Sequence, residues 1–146
     1  MGAGFILAIN LVVAGLFAGA FALISLHERT GAARWFAGAY VLGIANLAIE
    51  AVVPSLTAFK PAVLVAGLCI VAAFGALNVG LTKKYRIATP WRLLIAIFVA
   101  SAATKWAIQD MPRDSLVRMF LYQAPYFVML AAGAGIAPKN ADDARR

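Results

Sequence analysis

Six polar residues within apolar runs of this chain are candidates for one site: Asn10, Asn46, Glu50, Lys105, Gln109 and Gln123. Two of them are charged, and on insertion scales a charge at the centre of a membrane helix costs about 2.5 to 3.5 kcal/mol. A carboxylate and an ammonium in that setting need a partner, a ligand or an ion path. Spacing supports a shared site. Ala39, Gly43, Asn46 and Glu50 follow at steps of four, three and four, and Ser101, Lys105 and Gln109 at steps of four, so each set forms one stripe on a helix. Stripes that are small or polar face other helices rather than lipid. The simplest expectation is that Glu50 meets Lys105. In the alternative, Lys105 snorkels to the headgroups and Glu50 is protonated. For Asn46, Asn78 and Ser101, hydrogen bonding that holds helices together is the plainer role.

Other chemistry is thinly represented. His27 is the single histidine and Cys69 the single cysteine, so neither a zinc-ligand set nor a disulfide framework can form. There is no Ser-His-Asp set and no Gly-rich phosphate loop opening a helix. The expectation is therefore no enzyme, no cofactor and no metal. His27 reads as an interfacial residue and Cys69 as a small buried hydrophobe.

The elements that must position the six residues are membrane helices. Of the 146 residues 64% are hydrophobic and 13% charged, and the mean hydropathy is +0.87. A soluble domain of this size would need far more polar surface. The pattern predicts an all-α integral membrane bundle over 1–137 with about five spans, at 4–26, 34–53, 61–81, 91–110 and 115–136, and a short polar tail at 138–146. The first run has no basic residue before it, so it reads as a retained helix rather than a signal peptide. Gly15 and Gly19 make a GxxxG there, a match that chance nearly supplies in so Gly-rich a chain. Arg34-Trp35 marks an interface, Pro90-Trp91 begins the fourth helix, Pro61 suits a first turn, Ser115 is a candidate N-cap, and Pro125 should kink the last helix.

With five spans the basic residues sort by side. Arg29, Arg34, Lys83, Lys84, Arg86, Arg92, Lys139, Arg145 and Arg146 share one side, against Lys60, Lys105, Arg113 and Arg118 on the other. The positive-inside rule then places the N-terminus outside and the C-terminus in the cytoplasm. Rise per residue puts Glu50 about 24 Å and Lys105 about 21 Å from their inner starts, with Asn10 about 9 Å and Gln123 about 12 Å in from the outer surface. All six are thus expected to form a polar pocket in the outer half of the bilayer. The net charge of +7 lies in short links, where anionic headgroups rather than nucleic acid are the natural partner.

The strings FILAINLVVAGLFAGAF, ARWFAGAYVLGIANLAIEAVVP, GLTKKYRIATPWRLL and DMPRDSLVRMFLYQAPYFVML, taken in order, resemble the N-terminal membrane region of bacterial GGDEF-type diguanylate cyclases. The similarity runs from about residue 5 to about residue 130 and rests on Asn10, Arg34-Trp35, Glu50, Pro112-Arg113-Asp114 and Tyr122 to Tyr126. In that family the membrane helices lead into a cytoplasmic cyclase. No Gly-Gly-Asp-Glu-Phe string is present, so none of the family's catalytic or nucleotide-binding residues carries over. The resemblance implies a sensory or signal-input module in the bacterial inner membrane, a truncated relative or a fragment. Its partners would be the lipid bilayer and either a second copy or a downstream cytoplasmic signalling domain. A small permease or half-transporter using Glu50 and Lys105 is the alternative, weakened by the scarcity of polar residues in the inner half and by the lack of an internal repeat.

Overall fold

The structure, a computed structural model, describes residues 2–29, 31–55, 59–112 and 115–136. Thr30, Arg113, Asp114 and the expected tail at 138–146 lie outside the described residues. The fold is all-helical: α1 (Gly2–His27), α2 (Ala32–Val52), a 3-10 turn (Val53–Ser55), α3 (Phe59–Lys84), α4 (Trp91–Ala107) and α5 (Leu116–Ile136). Among the described residues there is no strand. Four helices, α1, α2, α3 and α5, are long and apolar enough to cross a membrane.

Helix α4 is shorter than the 91–110 expected from hydropathy. It has 17 residues, about 25 Å at helical rise. Ile108 to Asp110 form turns instead, with Gln109 N–H bonded to the Trp106 carbonyl at 3.3 Å and Met111 N–H to Ile108 at 3.2 Å. Pro112 disfavours helical geometry at Met111, so the helix does not resume after these turns. Helix α5, by contrast, runs unbroken across the buried Pro125.

α3 is the centre of the bundle: it packs on α2, α4 and α5, α4 packs on α5, and α1 packs on α2 alone. Its sequence explains this. Ala66, Gly67, Ala73, Ala76 and Gly80 are all buried on α3, and small side chains let neighbouring helices approach closely. Gly80 receives the Phe36 ring of α2 so closely that a Cβ there would lie 2.6 Å from it. Phe36 in turn meets Phe21 of α1 at 5.3 Å, and Phe17 stacks on Tyr40 at 5.3 Å. On the other flank, Asn78 Nδ2 donates to the Met129 carbonyl at 2.8 Å, and a Cβ at Gly133 would collide with Asn78 Oδ1. Val71, Val79, Leu94 and Met129 form the core between α3, α4 and α5. Gly15 and Gly19 have nothing within 4 Å of a Cβ position and take no part in a close contact.

The two ends of the bundle differ. At one end, the Glu28 carboxylate accepts from Ala33 N–H at 2.7 Å and caps α2, while Trp35 and Trp91 meet at 5.9 Å. At the other, Lys60 pairs with Asp110. α4 therefore runs from the level of Trp35 to that of Lys60. The hydrogen bond and charge of Lys60 hold the Asp110 carboxyl below its ordinary range. A depressed acid favours folding above its unfolded pKa, and that contribution is lost as pH falls through the folded value. Both groups are exposed, so the effect is small and screened by salt. Lys60→Gln should return the Asp110 titration, followed by NMR, towards the ordinary value; an unmoved titration would show that Lys60 is not the cause.

Candidate functional site

Lys105 stands in the last turn of α4, and its side chain is buried at 3% exposure. The burial is a consequence of Gly67. A Cβ there would lie 2.8 Å from Lys105 Nζ and 2.9 Å from Cε, so only glycine on α3 leaves room for the chain to lie across it. The ammonium ends between two tyrosines of α5. Nζ donates to the Tyr126 hydroxyl at 2.8 Å and lies 3.7 Å from the centroid of the Tyr122 ring and 4.6 Å from that of Tyr126. Tyr122 and Tyr126 are one turn apart, so they share a face of α5, and their rings meet edge to face at 5.8 Å. Phe74 of α3 packs behind Tyr126 at 6.2 Å.

This arrangement stabilises a cation without a carboxylate. Ring faces attract an ammonium through their quadrupoles, by about 2 kcal/mol or more when water is excluded. An ammonium carries three donors. Tyr126 takes one and the Tyr122 face a second; among the described residues no further acceptor lies within hydrogen-bond distance. Gln109, one turn on, is half-buried and its Nε2 has no partner. Lys105, Gln109, Arg118 and Tyr122 line a cavity of about 20 Å³ closed by Val63, Leu64 and Ile108, room for roughly one water. Arg118 donates to the Met111 carbonyl, holding the turn after α4. Site chemistry is thus donor-rich: an ammonium and an amide with capacity left for an acceptor.

The other expected pocket residues lie elsewhere. No ion pair joins Glu50 to Lys105. Glu50 is exposed near the end of α2, and α2 and α4 both pack on α3 and not closely on each other. Gly67 draws the lysine onto α3 and α5 instead. Asn46 is buried with its Oδ1 unpartnered, but in a separate apolar cavity of about 260 Å³ between α1, α2 and α3 that is lined by Tyr40, Gly43, Phe74 and Leu77. Asn10 and Gln123 are exposed on α1 and α5. Ser101 is buried and donates back to the Ile97 carbonyl at 2.5 Å.

Tyr122, Tyr126 and Gly67 complete the site and were not among the residues expected there. A signal existed in the four-residue spacing of the two tyrosines. Among the described residues no group of His, Cys, Asp and Glu could hold a metal ion. No protein family, curated protein or solved structure matches the chain.

Proposed function

We propose that this chain is a membrane-embedded signal-input domain in which the Lys105 site is the sensing element. It sits in a bacterial inner membrane with its N-terminus outside, α4 serving as a fifth crossing, and passes a change in helix packing to a cytoplasmic signalling domain, as in the cyclases whose membrane region the sequence resembles. The observation that carries the reading is a buried ammonium held by the Tyr126 hydroxyl and the Tyr122 ring face at the junction of three helices. An acceptor ligand or a change in proton occupancy there alters contacts to α3, α4 and α5 together, which is what a population shift requires. A transport path finds less support, because the cavity is single-water in size and the core beyond it is Val71, Val79, Leu94 and Met129.

The test joins the chain at its C-terminus to a GGDEF catalytic domain and compares wild type with Lys105→Met and Tyr126→Phe. Lys105→Met should leave stability within about 1 kcal/mol of wild type, since the relief from burying a charge offsets the lost ring and hydroxyl contacts. Cyclic dinucleotide output should nevertheless change at least several-fold. Output equal to wild type in both variants would overturn the proposal. A reporter after Arg146 should behave as cytoplasmic; the reverse would sink the orientation.

A further inference from the structure

The end of α3 carries a side chain where the backbone asks for none. Ile87 N–H bonds the Thr82 carbonyl at 2.9 Å and Arg86 N–H bonds that of Lys83 at 3.3 Å, the bond pair of a Schellman cap. The left-handed residue of that cap is usually glycine, which adopts the conformation without a Cβ penalty. Here it is Arg86, at φ 55, the one non-glycine residue with positive φ among the described residues. Retaining an arginine at this point points to a use for its guanidinium.

That use lies in the adjacent cleft. Arg29 from the α1–α2 link and Lys83 and Arg86 from the end of α3 line a polar cleft of about 440 Å³, with Thr82, Ile87 and Ala88. None of the three bases forms an ion pair with a described residue; the pair present is Lys60–Asp110 at the opposite end. The nearest carboxylate in sequence, Glu28, caps α2. The hydroxyls are engaged as well: Thr82 donates to the Val79 carbonyl at 2.8 Å, so in the 2.8 Å contact with Thr89 it is Thr89 that donates. The cleft therefore offers a ligand positive charge and little else. The carbonyl end of a helix alone repels an anion, but its partial charge of about half a unit is outweighed by three full ones. Arg and Lys together suit tetrahedral oxyanions, the guanidinium as a fork and the ammonium as a point charge.

Depth identifies the source of the anion. The Trp35–Trp91 pair stands at this same end of the bundle, and tryptophans concentrate at headgroup level. Leu23 and Leu26 of α1, just before the cleft, are 67% and 76% exposed, a surface for acyl chains. We propose that Arg29, Lys83 and Arg86 form a binding site for the phosphate of an anionic phospholipid headgroup. The site is separate from the Lys105 site and does not depend on the role given to it.

The full chain in nanodiscs is the material for the test, with bound lipid read by native mass spectrometry after release from phosphatidylglycerol or phosphatidylcholine bilayers. Wild type should retain phosphatidylglycerol in preference. Arg29→Gln and Lys83→Gln should each weaken retention about five-fold, the effect of one basic residue near a charged surface. Arg86→Gly should weaken it similarly while unfolding at the same temperature or higher without lipid, because glycine suits the cap; that result separates binding from folding. Lys84→Gln removes the same charge outside the cleft, where Lys84 lies 6.0 Å from the Tyr85 ring, and should weaken retention less than any of the cleft substitutions. Equal retention of phosphatidylcholine, an equal loss on Lys84→Gln, or undiminished retention when Arg29→Gln, Lys83→Gln and Arg86→Gly are combined would overturn the site. Inorganic phosphate binding as tightly as phosphatidylglycerol would overturn the lipid as its ligand.

Discussion

Gly133→Ala is expected to destabilise the bundle by about 2 to 4 kcal/mol, since a Cβ there meets a closer atom than at any other glycine among the described residues. Alanine is otherwise the better helix former, so propensity alone predicts a small gain. Packing reverses the sign. The added Cβ would occupy the place of Asn78 Oδ1, and Asn78 is buried with its Nδ2 bonded to Met129. To make room the amide must rotate and lose that bond, or α5 must move off α3. Overpacking costs about 1 to 3 kcal/mol and a buried unsatisfied amide adds about as much. Asn78→Ala alone removes one interhelical hydrogen bond, on average about 0.6 kcal/mol in membrane proteins. In the double variant the clash is absent, so its loss should fall well below the sum of the singles. Thermal unfolding in a mild detergent measures all three, and additive losses would mean that Asn78 is not what Gly133 accommodates.

The second expected result is a loss of about 1 to 3 kcal/mol for Gly80→Ala, with recovery on adding Phe36→Leu. The new Cβ would lie 2.6, 2.8 and 3.1 Å from three atoms of the Phe36 ring. A flat ring that also packs on Phe21 cannot yield at one atom; it must turn as a body. Gly67→Ala is milder by comparison, because the atoms met at 2.8 to 3.0 Å are the flexible end of Lys105. Phe36→Leu by itself loses ring contacts, so the informative quantity is again the coupling. If Gly80→Ala unfolds at the wild-type temperature, α2 and α3 are not held at this spacing.

Both glycines show which part of the fold can be read from sequence. Apolar runs separated by Pro and short polar links give the helices and the all-α class, since length and composition decide both. The stripe Ser101, Lys105, Gln109 is legible too: two of its members are buried and the third half-buried, as a polar face turned inward should be. What lies opposite that face is not legible. Spacing within α4 fixes which of its residues share a side, but the neighbour is set by the closest backbone approach, and that follows from small residues on α3. Glu50 was the chemically obvious partner for Lys105, yet the tyrosines reach it because Gly67 admits the lysine to their side. Tyrosine is easily passed over in such a reading, since its ring counts as apolar while its hydroxyl and face do polar work. Asn10 and Gln123 share the predicted depth, and depth says nothing about rotation about the helix axis.

The central position of α3 also bears on how the molecule assembles. Each closely packed pair joins helices that are adjacent or next-but-one along the chain: α1 with α2, α2 with α3, α3 with α4 and α5, and α4 with α5. No early helix waits for a distant one. As the chain is synthesised, α1 and α2 can form a hairpin through Phe17, Phe21, Phe36 and Tyr40 before α3 arrives, and Gly80 then receives a ring already in place. The closing of α4 and α5 around Lys105 comes last. Such a topology keeps loop-closure costs low at every step and favours fast, sequential folding from the N-terminus over a search among distant pairings.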